Sequence, residues 1–213
     1  MKSVLISIQP KWCELISSGK KTLEVRKTRP KLSTPFKVYI YCTKDPKRQF
    51  WRSQTYAYVD DRSHNCFDKC GNGMVIGEFI CDCIFGIDTN YEIHDELPGS
   101  PVETWLEWND APDGYEAMEE LDKASCLSYE EIKSYVGVKG GYGWHISDLK
   151  IYDKPKELSD FRKPFPFHKD CSSCDRGGTS FHPETCYGCG HFDGIEISRP
   201  PQSWCYVEEL TWP

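Results

Sequence analysis

Short stretches of alternating or continuous apolar residues recur along the chain and predict a fold rich in β-strands. Clusters of glycine, proline and polar residues separate these stretches, as is typical of turns and loops. The predicted strands are residues 2–9, 22–28, 36–42, 74–85, 142–152 and 202–209. Gly77 lies inside the fourth strand and predicts a bulge or a bend there.

A short first helix is predicted between Pro10 and Gly19. Proline favours the first position of a helix, and glycine favours the position just beyond its last turn. Trp12, Cys13, Leu15 and Ile16 form an apolar stripe along this segment. The helix is short, so we expect packing of this stripe to stabilise it.

Later helices are predicted in the middle of the chain. The sequence Ser128-Tyr129-Glu130-Glu131 is a capping box that begins a helix, which ends at Gly137. The acidic segment 88–127 is expected to be helical in pieces, around Trp105 and around 115–121. About six strands with one early helix and late helices predict an α+β fold built on a small β-barrel.

The strand at 22–28 presents a polar face that favours a ligand pocket. Leu23 and Val25 point to one side of it, whereas Thr22, Glu24 and Arg26 point to the other. Lys21 lies at the entrance of the same strand. On such a face Glu24 accepts from an exocyclic base amine, and the two cations bind phosphates or carbonyls. The alternative is that Glu24 and Arg26 form a structural ion pair.

Tryptophan residues near this strand offer planar surfaces. Trp12 and Trp144 are candidates for stacking on a nucleobase, and the alternative places both in the core. A partly desolvated lysine beside an arginine also loses its proton more easily, so Lys21 is a candidate nucleophile or base.

Charge is distributed unevenly along the chain although its formal net charge is only −7. Residues 1–52 contain thirteen Lys and Arg against three acids, whereas residues 78–131 contain sixteen acids against one Lys. A basic segment is typical of a surface that meets phosphates. The alternative is that the two segments neutralise each other within one fold. The acidic segment argues against indiscriminate binding to duplex nucleic acid.

No apolar run approaches the about 20 residues that a membrane helix needs. The apolar run near the N-terminus is also too short and too interrupted for a signal peptide. We therefore expect a soluble, cytoplasmic protein that does not bind membranes.

Four of the twelve cysteines form two closely spaced Cys-x-x-Cys pairs near the C-terminus. Such pairs, without a secretion signal, favour a metal site over disulfides. Four thiolates complete the tetrahedral coordination of a structural zinc ion, which leaves no open position for catalysis. The predicted ligands are Cys171, Cys174, Cys186 and Cys189, and His168, His182 and His191 are candidates if one cysteine is not used. The alternatives are free thiols in a disordered insertion, and a metal cluster or a redox role.

Other cysteines give weaker signals. His64, Cys66 and Cys70 are candidates for a second metal site, although their spacing is loose. The remaining six cysteines are most simply small core residues. Cys13 is next to Trp12, and the alternative for it is a nucleophilic role.

The order of motifs resembles the ASCH domain family. The resemblance rests on Ser7-Ile8-Gln9-Pro10, Gly19-Lys20-Lys21-Thr22-Leu23-Glu24-Val25-Arg26, Gly140-Gly141-Tyr142-Gly143-Trp144-His145 and Pro200-Pro201-Gln202-Ser203-Trp204-Cys205. It covers roughly residues 1–160 and 199–210. We therefore predict an ASCH domain formed by residues 1–162 and 199–213, interrupted by a zinc-binding insertion at residues 163–198.

The resemblance implies a PUA-like β-barrel with a cleft between the barrel and the first helix, and a function in binding RNA or modified bases. One branch of the family hydrolyses N4-acetylcytidine, and Lys21 matches its catalytic lysine. The catalytic threonine of that branch falls at Glu24, and its catalytic glutamate falls near Ser125. Glu24 is then a candidate carboxylate for catalysis from a new position.

Three functions follow as hypotheses. The first is binding of RNA or a nucleoside, for which the ligand-binding residues are Gln9, Trp12, Lys21, Thr22, Glu24, Arg26 and Trp144. The second is an amidohydrolase for acylated bases, with Lys21 and Glu24 as catalytic residues. The third is a protein-interaction module whose acidic segment 78–131 contacts a basic partner.

The zinc prediction is tested by metal analysis of protein purified without chelator. We expect about one zinc ion per chain, and a loss of most of it in Cys171→Ser and Cys186→Ser, because each substitution removes one of four thiolates. Cys126→Ser is the matched control and should keep the metal. Wild-type protein without zinc would overturn the prediction.

Overall fold

The computed structural model describes residues 2–48, 50, 71–87, 114–164 and 195–210, with the side chains of 114–119 and 195 excepted. The four predicted zinc ligands, the candidates at His64, Cys66 and Cys70, and the segment around Trp105 lie outside these residues. Residues 88–113 of the acidic segment 78–131 do so as well. The zinc site and the protein-interaction surface therefore stay predictions.

A five-stranded sheet contains the strands β1 (Lys2–Ile8), β3 (Phe36–Cys42), β4 (Val75–Cys81), β7 (Ser147–Lys156) and β10 (Trp204–Glu208). Their order in the sheet is β10-β1-β3-β4-β7. The two strands β1 and β3 are parallel, and the other neighbours are antiparallel.

A three-stranded antiparallel sheet has the order β2 (Leu23–Arg26), β6 (Gly141–His145) and β5 (Ile84–Ile87). In the described part of the chain, β8 (Arg162–Lys163) and β9 (Ile195–Glu196) form a third sheet, so the two ends of the predicted insertion lie side by side. The α-helices among the described residues are α1 (Pro10–Ser17), α2 (Gly114–Ser125) and α3 (Tyr129–Val136).

Two predicted strands are each divided between the two larger sheets. The stretch 74–85 forms β4 and β5, and the stretch 142–152 ends β6 at His145 and begins β7 at Ser147. The backbone N–H of His145 donates to the carbonyl of Cys83, so both stretches pass from one sheet to the other at the same level. The prediction of two single long strands was wrong. Apolar residues continue along each stretch, so the sequence shows no break at the point where the chain leaves one sheet and joins the other. Gly77 does lie at a register shift of β4 against β7, as predicted.

The α+β class is confirmed, but the strands in the described part of the chain do not close into a hydrogen-bonded barrel. The two larger sheets instead pack face to face through aromatic side chains. Trp144 on β6 is fully buried, with ring centroids 6.0 Å from both Phe36 and Trp204 of the five-stranded sheet. Side-chain packing therefore supplies the closure that the barrel prediction assigned to hydrogen bonds.

The helices α2 and α3 cover the outer face of the three-stranded sheet. Leu23 and Val25 share a core cluster with Leu121 of α2 and Ile132 of α3. Ser128 caps α3 in a reciprocal capping box with Glu131, as predicted. The opposite face of β2 is thereby turned towards α1.

No helix in the described ranges is long and apolar enough to cross a bilayer.

Candidate functional site

A cavity of about 790 Å³ lies where α1, β2 and the segment before β10 meet. Its volume falls within the range of about 300–1,000 Å³ that is typical of small-molecule sites. The lining residues are Ser7, Ile8, Gln9, Trp12, Lys21, Glu24, Val25, Arg26, Tyr41, Thr43, Lys44, Leu127, Tyr135, Pro200, Pro201 and Gln202.

Three buried charged residues on and beside β2 line this cavity. Glu24 lies between Lys21 and Arg26: its Oε2 is 3.4 Å from the Lys21 Nζ, and its Oε1 is 2.9 Å from the Arg26 Nη2. The exposed fractions of the three residues are 2% for Lys21, 6% for Glu24 and 7% for Arg26. The ion pair of Glu24 with Arg26 is therefore present, and it lines the cavity as well.

Arg26 connects β2 to both ends of the chain. Its Nη2 donates to the carbonyl of Ser7 at 2.7 Å, and its Nη1 donates to the hydroxyl of Ser203 at 3.4 Å. Ser7 in turn donates its hydroxyl to the carbonyl of Pro201 at 2.7 Å. The Nε of Arg26 is buried and has no hydrogen-bond partner among the residues that the structure describes.

Lys21 is held from three sides. Its Nζ donates to the carbonyl of Ser125 at 2.6 Å, contacts Glu24, and lies 5.3 Å from the ring centroid of Trp12. Burial lowers the pKa of Lys21, because the charged form loses its hydration. Arg26 lowers that pKa further, while Glu24 opposes the shift. Lys21 is thus a cation whose proton is held less firmly than that of an exposed lysine.

Most of the residues predicted to bind a ligand come together around the cavity. Gln9, Trp12, Lys21, Glu24 and Arg26 all line it. Glu24 and Arg26 share one face of β2, as the alternation along the strand indicated.

Two predicted ligand-binding residues do not line the cavity. Thr22 is half-buried, and its backbone bonds to Ala124 and Ile146. Trp144 is in the core, where it holds the two sheets together, and its indole Nε1 has no partner among the described residues. The alternative interpretation of Trp144 as a core residue matches its position.

Several lining residues were missed because they are distant in sequence from β2. Tyr135 on α3 and Pro200, Pro201 and Gln202 before β10 form walls of the cavity. In the sequence, only the Pro-Pro-Gln-Ser motif indicated that the segment before β10 lies at the cavity. Ser125 carries no carboxylate, but its carbonyl accepts from Lys21, so the two positions that the motif alignment matched to family residues lie next to each other.

Cys13 lacks the properties of a nucleophile. It is fully buried, and its thiol donates to the carbonyl of Ile8 at 3.6 Å. Burial, together with the neighbouring Cys42, raises the pKa of the Cys13 thiol well above its ordinary value. The reactive thiolate is therefore disfavoured.

The lowered pKa of Lys21 predicts a pH-dependent effect on stability. The unfolded chain binds more protons than the folded one between the lowered pKa and the ordinary value of 10.5. The free energy of unfolding of wild type relative to Lys21→Met should therefore rise with pH through this window. Urea unfolding of both proteins from neutral pH to pH 10.5 measures the difference.

The exposed neighbour Lys20 provides the matched control, since Lys20→Met should show no such trend against wild type. Tyr39 and Tyr152, whose pKa values burial raises, titrate alike in all three proteins and cancel in the comparison. A difference between wild type and Lys21→Met that is constant or falls with pH would contradict the prediction.

Comparison with known proteins finds no matching family model and no matching curated protein. Among solved structures the chain is similar to the crystal structure of ASCH from Zymomonas mobilis, at 17% identity and a TM-score of 0.44, over 97% of this chain and 88% of that one. The chain is also similar to a serine-to-alanine mutant of that protein, at 16% identity and a TM-score of 0.48, over 97% of this chain and 89% of that one.

A tyrosine-to-phenylalanine mutant of the same protein gives 18% identity and a TM-score of 0.44, over 74% of this chain and 77% of that one. A likeness of this strength carries no argument about ligand or reaction. All three structures are of the ASCH protein from Zymomonas mobilis.

Proposed function

We propose that the cavity binds a nucleobase, presented either by RNA or by a free nucleoside. The observation that supports this most is the buried group of Lys21, Glu24 and Arg26 in a cavity that Trp12 also lines. Buried ion groups contribute little to stability, because their desolvation cost offsets their attraction. Three such residues lining a cavity therefore favour a function in binding.

The cavity offers the chemistry that recognition of a base requires. The Glu24 carboxylate accepts hydrogen bonds from an exocyclic amine or a ring N–H. Lys21 and Arg26 donate to carbonyl oxygens or ring nitrogens. The half-buried ring of Trp12 offers a π-face on which a base stacks, and Lys21 lies near that ring already.

Positive charge around the mouth of the cavity supports an RNA ligand. Lys44 lines the cavity and is exposed, and Lys11 lies 4.2 Å from the ring centroid of Trp12. These lysines belong to the basic segment 1–52, so they raise the local concentration of a polyanion near the base-binding residues.

Substitution of Trp12 tests the proposal. Trp12→Ala should weaken binding of the nucleosides and short single-stranded RNAs that wild type binds by about 5- to 150-fold, because stacking on an aromatic ring contributes about 1–3 kcal/mol per base. Tyr129→Ala is the matched control, since Tyr129 is a half-buried ring on α3 that does not line the cavity. Calorimetry or fluorescence titration gives the affinities.

Equal affinities of wild type and Trp12→Ala would exclude stacking in this cavity. Failure of wild type to bind any nucleoside, modified nucleoside or RNA in the panel would overturn the proposed function itself.

A second candidate is an amidohydrolase that acts on N4-acylated cytidine. The lowered pKa of Lys21 favours it, because a neutral amine accepts a proton from an attacking water molecule. Water then adds to the acyl carbon, the carbon–nitrogen bond breaks, and the cytidine amine receives the proton. Glu24, at 3.4 Å from the Lys21 Nζ, orients that lysine.

Hydrolysis of N4-acetylcytidine distinguishes the two candidates. If the chain is an amidohydrolase, release of acetate and cytidine should be measurable by chromatography and should fall by at least about 100-fold in Lys21→Ala, as for loss of a general base. Lys20→Ala should leave the rate unchanged. Absence of product with wild-type protein that binds the nucleoside would exclude this candidate and leave the binding function intact.

A further inference from the structure

The charges that line the cavity do not balance. Among its described lining residues Lys21, Arg26 and Lys44 are basic, whereas Glu24 is the sole acid. Lys44 is exposed and hydrated, but the other three are buried. With Lys21 protonated, the buried group therefore carries a formal charge of +1 that no other described lining residue nearby balances. An uncompensated buried charge is unfavourable and calls for a counter-charge.

The donors of Arg26 show where that counter-charge is missing. Its Nη2 bonds to Glu24 and Ser7, and its Nη1 bonds to Ser203. Its Nε–H is buried without a partner in the described part of the chain. Buried donors in proteins are nearly always satisfied. Arg26 also lines the cavity, so a ligand that brings an acceptor close to the guanidinium would satisfy this donor.

Lys21 is the second cation of the group, and it has one donor left. Two of its three N–H groups are directed to Ser125 and Glu24. The charged and titratable groups that act on it are Glu24, Arg26 and Cys126, so Glu24 is the one carboxylate. Both cations share that carboxylate, and neither has an anion of its own.

We infer that the cavity contains a subsite for an anionic group that pairs with Arg26 and Lys21, so that the ligand is a nucleotide with its phosphate rather than a neutral nucleoside. This inference rests on the proposed function. A phosphate supplies several acceptor oxygens, and hydrogen bonds between charged partners are the strong ones. Glu24 opposes an anion, but the cations on both of its oxygens offset that repulsion.

Deprotonation of Lys21 is the other way to remove the excess charge. It leaves the buried Arg26, which does not deprotonate in proteins, paired with Glu24, and it leaves the Nε–H of Arg26 unsatisfied. An anion satisfies that donor and restores the charge on Lys21 as well. Binding of the anion should therefore be accompanied by uptake of a proton at alkaline pH.

Calorimetry on the wild-type full chain tests the inference without any substitution. Each common nucleoside is compared with its 5′- and 3′-monophosphates, with ribose 5-phosphate, with inorganic phosphate and with a short oligoribonucleotide of the same base. We expect a monophosphate to bind about 10- to 100-fold more tightly than its nucleoside, as for one or two hydrogen bonds between charged groups. The preference should persist at 0.5 M salt, because buried pairs are screened little.

Proton uptake gives an independent readout. Titrations at several pH values between about 8 and 10.5, in two buffers of different ionisation enthalpy, should show uptake with the nucleotide that grows as Lys21 of the free protein loses its proton, while the phosphate, with a pKa of about 6, stays ionised throughout. The uptake should vanish in Lys21→Met. Arg26→Lys keeps the charge but removes the Nε–H, and should lose most of the phosphate preference. The exposed Lys44→Met should lose affinity for the oligoribonucleotide mainly at low salt.

The outcomes separate the two proposals. Equal affinity for nucleosides and their monophosphates overturns the anionic subsite and leaves the proposed function standing. Binding of inorganic phosphate as tight as that of any nucleotide supports the subsite but overturns recognition of the base. A monophosphate preference that disappears at 0.5 M salt also overturns the subsite, since surface attraction then explains it. Preference for the free nucleotide or for the oligoribonucleotide identifies the source of the phosphate.

Discussion

The guanidinium of Arg26 is the group on which both the fold and the candidate site depend. It hydrogen-bonds to Ser7 at the end of β1, to Ser203 before β10 and to Glu24 on its own strand. These bonds join the three-stranded sheet to the five-stranded one at their polar side, while Trp144 joins them at their apolar side. A planar donor with five N–H groups suits this task, because it reaches several acceptors in fixed directions.

The same buried charges lower the stability of the fold and supply the charged lining of the cavity. Each cation that loses water does so at a cost, and one shared carboxylate offsets only part of it. The helix α2 reduces the cost for Lys21, since the carbonyl of Ser125 near its C-terminal end accepts from the ammonium. Such an arrangement is expected where a protein retains buried polar groups for a function rather than for stability.

The sequence predicted local features well because their causes lie within a few residues. Alternation along β2 placed Glu24 and Arg26 on one face, and the capping box fixed the beginning of α3. Features set by distant residues were not predictable in this way. The division of two long apolar stretches between sheets depends on which strand lies alongside, and the position of Trp144 depends on Phe36 and Trp204. The wall at Pro200–Gln202 was suggested only by a motif.

The pairing of β10 with β1 has a consequence for the order of events during synthesis. The strand β1 and the helix α1 are synthesised well before β10, which is one of the two neighbours of β1, and the wall formed by Pro201 follows Ser7 of β1 by 194 residues. Until then, one edge of β1 and the polar side of β2 face water or a chaperone. The cavity is therefore complete only after the segment before β10 has been synthesised, and premature termination upstream of that segment removes the wall at Pro200, Pro201 and Gln202 even though every residue of β2 is present.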